Sequence, residues 1–293
     1  MASVLIIGAG PAGISAALYA RRGGAAVTVV TKGIGTGTLG KAEQIENYYG
    51  LAEPVSGLEL ERRGIEGARR LGVELIEDEL LALSFNETFT GFKAATREHQ
   101  LAADSVILAA GASRKSIRLP GIAEFEGKGV SYCATCDAPF YRGKTVAVIG
   151  AGEYALHEAQ QLLPHAARVI LLTNGVQPVM TVPEEIEVQT GRLIAIEGEG
   201  RVERVRFEDG TQLGLSGVFL AIGVAGSTEF ARKIGAMLDG SSIKVDEHMA
   251  TNVPGLFAAG DCTGGLLQVA KAVYQGAEAG LAAVRYLRSK KGK

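Results

Sequence analysis

The chain has few cysteines, no block of one charge and no long hydrophobic run. Only 3 of its 293 residues are cysteine, too few for a disulfide framework. The formal net charge is −2, and acidic and basic residues are interleaved, so the cationic surface that nucleic-acid phosphates require is not evident. We therefore expect no nucleic-acid partner.

The apolar runs, such as 106–110 and 218–221, have the length of strands. They fall far short of the roughly 18 residues that cross a bilayer. Residues 1–7 carry no basic region and lead into a glycine motif instead of a signal-cleavage site. We expect a soluble, cytoplasmic protein, and a prior of roughly 150 residues per domain favours two domains.

The order strand, glycine turn, helix, strand occurs twice along the chain. The first copy comprises the strand 3–7, the turn 8–13, a helix to about Arg22 and the strand 27–31. The second comprises the strand 145–149, the turn 150–155, a helix to about Leu163 and the strand 169–173. This internal repeat predicts two nucleotide-binding βαβ units.

The glycines of the first turn suit dinucleotide binding. Gly8 permits the tight reversal, Gly10 lets the backbone approach a pyrophosphate, and Gly13 allows close helix packing. Two later segments, 105–112 and 255–261, have the pattern of strands that end at a glycine. Asp261 at the end of the second could accept a hydrogen bond from a ribityl hydroxyl, or it could only cap a helix predicted from about Leu266.

Between the two turns lies Cys133-Ala134-Thr135-Cys136, followed by Asp137. Cysteines two residues apart can bridge within one turn, and their thiolates carry out disulfide exchange. Zinc would need four ligands, and no second Cys or His pair has the required spacing. Asp137 could act in catalysis or as a helix cap. Cys262 has no partner in the sequence, and we expect it to serve packing.

Six segments together resemble the low-molecular-weight thioredoxin reductase family over nearly the whole chain. They are GAGPAG at 8–13, ENYYG at 46–50, ILAAGA at 107–112, CATCD at 133–137, GAGEYA at 150–155 and LFAAGD at 256–261. The resemblance implies an α/β fold of two Rossmann-like domains with three-layer ββα architecture, the second inserted into the first. It implies a discontinuous FAD domain over 1–114 and 245–293, an inserted NAD(P)H-domain-like part over 115–244, and a homodimer.

The resemblance also assigns roles by position. Cys133 would attack the disulfide of a thioredoxin-like substrate, Cys136 would resolve the mixed disulfide and exchange electrons with the flavin, and Asp137 would shuttle the proton. The residues implied to bind FAD are Gly8, Gly10, Pro11, Ala12, Gly13, Thr31, Lys32, Asn47, Ala110, Gly111, Gly260, Asp261, Val269 and Ala270. No metal is expected.

The second βαβ unit departs from the family pattern. NADPH-dependent members follow its second strand with a cluster of arginines that grips the ribose 2′-phosphate, but residues 173–179 contain no cation. The next cation after Arg168 is Arg192, and no nearby basic residue replaces the cluster. Glu153 puts a carboxylate at the helix entrance, and Thr173-Asn174 lacks the acidic residue that NAD would need.

With these departures, the chain resembles the branch of flavin thioredoxin reductases that do not use NADPH, some of which take electrons from ferredoxin. We expect such a donor, and Arg62, Arg63, Arg69 and Arg70 are candidates for docking it, with a solvated helix face as the alternative. The rival hypotheses are an NAD(P)H-dependent reductase, a dithiol oxidase that uses oxygen, and a non-catalytic flavin or thiol redox sensor.

Overall fold

A computed structural model describes residues 2–111, 117–132, 134–178, 180–222 and 226–291. The strands are β1 Ser3–Ile7, β2 Ala26–Thr31, β3 Glu74–Glu77, β4 Leu80–Phe85, β5 Phe92–Thr96, β6 Gln100–Ala103, β7 Ser105–Leu108, β8 Val130–Ser131, β9 Thr145–Ile149, β10 Arg168–Leu172, β11 Ile186–Gln189, β12 Leu193–Glu197, β13 Arg204–Phe207, β14 Gln212–Gly214, β15 Gly217–Leu220, β16 Leu238–Asp239, β17 Ser242–Ile243 and β18 Leu256–Ala258. The helices are α1 Pro11–Arg22, α2 Gly57–Arg70, α3 Ala134–Asp137, α4 Glu153–Leu162, α5 Ser227–Lys233 and α6 Val269–Lys291.

The chain divides into two compact units. The first comprises Met1–Ser113 and Gly226–Lys293, and the second comprises Arg114–Ala225. We predicted the return to the first unit at residue 245, but the segment 226–244 belongs to the first unit. The reason is its packing, since α5 contacts β4 and β17, and β17 contacts the turn that follows β18.

The first unit is built on a parallel sheet of order β18-β7-β1-β2-β3. Alternate strand residues, including Val4, Ile6 and Val29, pack with α1, α2 and α6 in one hydrophobic cluster. Leu5 and Ile7 are also buried and point to the other face by strand alternation. Because both faces of the sheet are buried, the sequences of these strands are continuous apolar runs. A second sheet, of order β4-β5-β6, is antiparallel.

The second unit repeats this architecture with a parallel sheet of order β11-β10-β9-β15-β8. Ala147 and Ile149 face the antiparallel sheet β12-β13-β14, whereas Val146 and Val148 face α3 and α4. The layers are therefore helix, parallel sheet and antiparallel sheet. The predicted fold class of two Rossmann-like, three-layer units is confirmed.

Helices α1 and α6 of the first unit lie unusually close together. A Cβ at Gly276 would lie 2.1 Å from the carbonyl oxygen of Ala12, and one at Gly280 would lie 2.5 Å from that of Ala16. These two glycines therefore let α6 approach the N-terminal half of α1, which begins at the first glycine turn. In the part of the chain that the structure describes, no helix combines the length and apolar character needed to span a membrane.

Candidate functional site

Most of the residues predicted to bind the cofactor lie at one edge of the first parallel sheet. The carboxyl ends of parallel strands meet at the same edge, where α/β proteins bind ligands. The turn 8–13 follows β1, 31–32 ends and follows β2, 110–111 follows β7, and 260–261 follows β18. The fold therefore brings together segments that are far apart in the sequence, the most distant of which contain Gly8 and Asp261.

The first glycine turn has an open approach to its backbone at Gly10, and its conformation depends on Gly8 and Gly13. Gly8 has φ +110°, and a Cβ there would lie 2.5 Å from the carbonyl oxygen of Ala109. A Cβ at Gly13 would lie only 1.8 Å from the carbonyl oxygen of Gly8. A Cβ at Gly10, by contrast, would meet no atom within 4 Å, so the approach to the backbone is open.

Helix α1 starts at this turn with Pro11 in its first turn and no acidic residue there. Its free amide groups and the positive end of its dipole face the open approach at Gly10. This combination fits a dinucleotide pyrophosphate.

The turn after β18 is held by side chains of α6. The ammonium of Lys271 donates to the carbonyl oxygens of Gly260 at 2.9 Å and Gly264 at 2.5 Å. The side-chain oxygen of Gln275 accepts from the amide of Gly260 and from the hydroxyl of Thr263, both at 2.9 Å. Partial burial lowers the pKa of Lys271, although the nearby carboxylate of Asp261 opposes that effect.

Asp261 starts a one-turn 3-10 helix, Asp261–Thr263, and α6 begins only at Val269. The alternative that Asp261 caps a helix starting near Leu266 is therefore wrong, because the chain makes a separate turn before α6. A Cβ at Gly260 would lie 2.8 Å from the Cβ of Ala12, so this turn lies directly against the start of α1.

Other predicted cofactor residues surround the same edge. The side-chain amide of Asn47 donates to the side-chain oxygen of Gln268 at 3.0 Å, immediately before Val269 and Ala270 of α6. Gly111 has φ +75° and open space where a Cβ would be. The hydroxyl of Thr31 accepts from the amide of Gly33 at 3.3 Å. The ammonium of Lys32 forms an ion pair with Glu79 at 3.2 Å.

Three side chains at this edge were not predicted. The hydroxyl of Ser227, a fully buried residue, accepts from the amide of Ala110 at 2.9 Å. Lys271 and Gln275 hold the turn that contains Asp261. Spacing of three to four residues on α6 could have suggested that Lys271 and Gln275 share a face, but nothing local to Ser227 points to a partner 117 residues away.

Cys262 lies next to Asp261 and is fully buried. Its thiol donates to the carbonyl oxygen of Ala259 at 3.3 Å, and burial raises its pKa to about 11. A thiol in this environment stays protonated and unreactive, which agrees with a packing role.

The second glycine turn has the same backbone plan with different side chains. The amide of Gly150 donates to the carbonyl oxygen of Leu172, and that of Leu156 donates to Gly152. Helix α4, however, begins with Glu153 in its first turn, and the side chain of Tyr154 is 1% exposed. A carboxylate at this helix start competes with any phosphate for the positive end of the dipole.

The loop after β10 is occupied by its own hydrogen bonds. The side-chain oxygen of Asn174, which has φ +52°, accepts from the amide of Leu193 at 2.8 Å. The amide of Gly175 donates to the carbonyl oxygen of Thr190 at 2.9 Å. Val179, the last residue of the stretch that lacks cations, lies outside the described residues.

Arg168 and Arg192 are the two cations nearest in sequence to this loop. Arg168 opens the strand, about 13 Å from its carboxyl end, and forms an ion pair with Glu187 at 2.5 Å. Arg192, in contrast, directly precedes Leu193 and so lies in the loop that contacts Asn174. The parallel pairing of β10 and β11 brings the backbone of Arg192 to the same sheet edge. The expectation that no nearby basic residue replaces the arginine cluster stays a prediction.

The redox segment is described only in part. Cys133 lies outside the described residues, and the description of Cys136 covers its backbone in α3 but not its side chain. Asp137 precedes the 3-10 turn Ala138–Tyr141, and its side chain makes no capping hydrogen bond there. Burial and then the charge of Asp137 raise the pKa of Tyr141.

The candidate docking arginines on α2 fall into two groups. Arg62 forms ion pairs with Glu59 and Glu66, and Arg63 pairs with Glu59. Arg69 and Arg70 are exposed in the last turn, where cations complement the helix dipole. The side chains of Arg62 and Arg63 are thus partly neutralised within their own helix.

Two Rossmann-like units, one with a cradle for a dinucleotide and the other containing a CxxC sequence, define a flavin-dependent disulfide oxidoreductase. The chain matches the pyridine nucleotide-disulphide oxidoreductase family model over residues 2–276. It belongs to that family and, within it, to the low-molecular-weight thioredoxin reductases. It is therefore an enzyme whose cofactor is FAD.

Individual relatives agree over nearly the full length. The chain is 35% identical over 311 residues to thioredoxin reductase of Aquifex aeolicus, with 98% of this chain and 94% of the relative covered. Its structure is similar to the atypical thioredoxin reductase of Desulfovibrio vulgaris Hildenborough, with 39% identity, a TM-score of 0.93 and 99% of each chain covered. It is also similar to the ferredoxin-flavin thioredoxin reductase of Clostridium acetobutylicum, with 30% identity, a TM-score of 0.76 and 98% of each chain covered.

Proposed function

We propose that this flavin enzyme reduces the disulfide of a thioredoxin-like protein with electrons from a donor other than NADPH, and that a ferredoxin-like protein is the favoured donor. The observation that carries the proposal is the loop after β10. In this loop the side-chain oxygen of Asn174 accepts a hydrogen bond from the amide of Leu193, and Glu153 is the first residue of α4. An NADPH site needs cations in the loop after β10 and free amide groups at the start of α4.

The names of similar proteins support both halves of the proposal. Relatives such as the Aquifex aeolicus protein are named thioredoxin reductase, which supports thioredoxin as the substrate. One similar structure is named a ferredoxin-flavin thioredoxin reductase and another an atypical thioredoxin reductase. The name of the Clostridium acetobutylicum protein supports a ferredoxin-like donor.

The proposed exchange needs two cysteines and one acid. The thiolate of Cys133 attacks the substrate disulfide, so that one S–S bond breaks and a mixed disulfide forms. Cys136 then attacks Cys133, which releases the substrate as a dithiol and leaves the Cys133–Cys136 disulfide. Two electrons and two protons restore the enzyme dithiol, and Asp137 is proposed to supply or hold a proton for the departing thiolate.

The FAD site is proposed at the carboxyl edge of the first sheet. The amides of the turn 8–13 would bind the pyrophosphate, and Asp261 would accept a hydrogen bond from the ribityl chain. Asn47, Val269 and Ala270 would contact the remainder of the cofactor. When bound, FAD supplies the conversion between single electrons from the donor and the electron pair that a disulfide needs.

Anaerobic mixing of the holoenzyme with each donor tests the proposal. We expect that NADPH and NADH leave the visible absorbance of the oxidised flavin unchanged, whereas a reduced ferredoxin bleaches it. Rapid bleaching by either nicotinamide would contradict the proposed donor.

A Cys136→Ser variant tests the sulfur chemistry separately. Disulfide reduction should fall by at least about a hundredfold while the flavin stays bound and reducible, because only the resolving thiol is lost. Cys262→Ser is the control, since that buried thiol has no role in the proposed exchange. Undiminished turnover of the Cys136 variant would remove this residue from the mechanism.

An NAD(P)H-dependent reductase is the second candidate, and the location of Arg192 favours it. Arg192 directly precedes Leu193, whose amide donates to Asn174, and its guanidinium would bind a 2′-phosphate in place of the missing arginines. The same anaerobic experiment separates the two candidates. The homodimer remains a prediction, for which sedimentation of the holoenzyme is the direct measurement.

A further inference from the structure

Glu158 is a buried carboxylate next to the redox segment that the mechanism above does not use. It lies on α4, and its side chain is 1% exposed. Three residues within about one helical turn of it in the sequence, Tyr154, Ala155 and Ala159, belong to the hydrophobic cluster on this face of the sheet. Burying a carboxylate among apolar groups is costly unless hydrogen bonds compensate it.

One compensating hydrogen bond comes from the redox segment itself. The amide of Ala134 donates to Oε2 of Glu158 at 2.8 Å, and Ala134 is also fully buried. Ala134 follows Cys133 in the sequence and begins α3, the helix that contains Cys136. Glu158 therefore connects α4 to the backbone between the two cysteines.

We propose that Glu158 is a positioning residue for the redox segment: it holds α3 against α4 through the amide of Ala134, and its negative charge makes the Cys133–Cys136 pair more reducing. The inference rests on the proposed function of this pair. A negative charge disfavours a nearby thiolate. Dithiols whose thiolate form is stabilised are oxidants, so destabilising the thiolate makes the pair a better reductant.

Other titratable groups act on the same region. Asp137 lies on α3, Tyr154 lies on α4 beside Glu158, and Tyr141 ends the next turn with a pKa raised by burial and by Asp137. Asp137 directly follows Cys136 and is a second acidic side chain in the same segment. The contribution of Glu158 is therefore measured as a difference between variants in which Asp137 is intact.

Glu158→Gln keeps an acceptor for the amide of Ala134 and removes the charge. The measurement is the dithiol–disulfide equilibrium of the holoenzyme in glutathione buffers, read by alkylation and mass spectrometry. Cys262 does not interfere, since it is buried and its pKa is raised to about 11. We expect the equilibrium to shift roughly tenfold toward the dithiol, and the pH midpoint of thiol alkylation to fall by about one unit.

Two further variants separate charge from position. Glu158→Asp keeps the charge and should stay within about twofold of the wild type in the equilibrium, because the charge sets it. Glu61→Gln is a matched control, since Glu61 is also buried and accepts from one backbone amide, that of Gly35 at 3.0 Å, but lies in the other unit. It should leave the equilibrium unchanged.

The outcomes are distinct. Failure of the wild-type pair to form a disulfide would overturn the proposed function itself. A normal wild-type disulfide with an unshifted or oppositely shifted Glu158→Gln equilibrium would overturn the role of Glu158. An equal shift in Glu158→Asp and Glu158→Gln would also overturn it, because a charge-retaining variant should not behave like a neutral one.

Discussion

The first and second glycine turns occupy corresponding places in their sheets. The amide after β1, that of Gly8, donates to Val30 of β2, and the amide after β9, that of Gly150, donates to Leu172 of β10. A Cβ at Gly8 would lie 2.5 Å from Ala109, and one at Gly150 would lie 2.2 Å from Ala221, in each case against a carbonyl oxygen. The backbone plan is thus the same.

Their side chains differ where a ligand would bind. The first turn continues with Pro11, Ala12 and Gly13 and has no acid in the first turn of α1. The second continues with Glu153 and a buried Tyr154. The comparison teaches that a Rossmann turn can be kept for packing, because its glycine contacts the neighbouring strand whether or not a dinucleotide binds.

Gly13→Ala should have the largest effect on this comparison. A Cβ there would lie 1.8 Å from the carbonyl oxygen of Gly8, so the turn must move. We expect a loss of about 3 kcal/mol in the free energy of unfolding and loss of FAD from the purified protein. Thermal unfolding and the ratio of flavin to protein absorbance measure the two effects.

The matched change in the second turn is Ala155→Gly, which restores the third glycine of the motif. It should cost only about 1 kcal/mol through helix propensity and leave FAD bound. Equal flavin loss in both variants would show that the two turns are not different in function.

Lys271→Met should have a smaller effect that is confined to the first unit. Without the ammonium, the carbonyl oxygens of Gly260 and Gly264 lose their shared donor, and the turn that contains Asp261 loosens. We expect FAD affinity to fall roughly tenfold, as for loss of a charged hydrogen bond. Fluorescence titration of the apoprotein with FAD measures it, and exposed Lys244→Met is the control. Unchanged affinity would separate Lys271 from the cofactor site.

Arg192→Ala should have the smallest effect. A single exposed cation contributes up to about 1 kcal/mol, so NADPH binding should change by less than about fivefold and NADH binding should not change. Calorimetric titration measures both. A hundredfold loss for NADPH alone would identify Arg192 as a 2′-phosphate ligand, and the second turn would then be a working nucleotide site.

Local patterns were sufficient for the elements of both βαβ units. Strand β1 was predicted at its observed bounds because β-branched residues lead directly into a glycine turn, and β9 was predicted for the same reason. The return to the first unit at Gly226 was missed, because that boundary depends on where α5 packs and not on any break in composition.

Part of the candidate site could also be predicted, since glycines with a steric requirement and the CxxC spacing are visible in one dimension. The partners of those residues could not be. Ser227 binds the amide of Ala110, and Lys271 holds Gly260, across separations that no local rule covers.

The sequence by itself determined the two glycine turns, the apolar strands and the absence of cations directly after β10, because each depends on neighbours within a few residues. Only the tertiary structure decided that Arg192 lies beside Asn174 and that Glu158 reaches the amide of Ala134. Parallel strand pairing and helix packing bring these residues together, and both depend on contacts between distant parts of the chain.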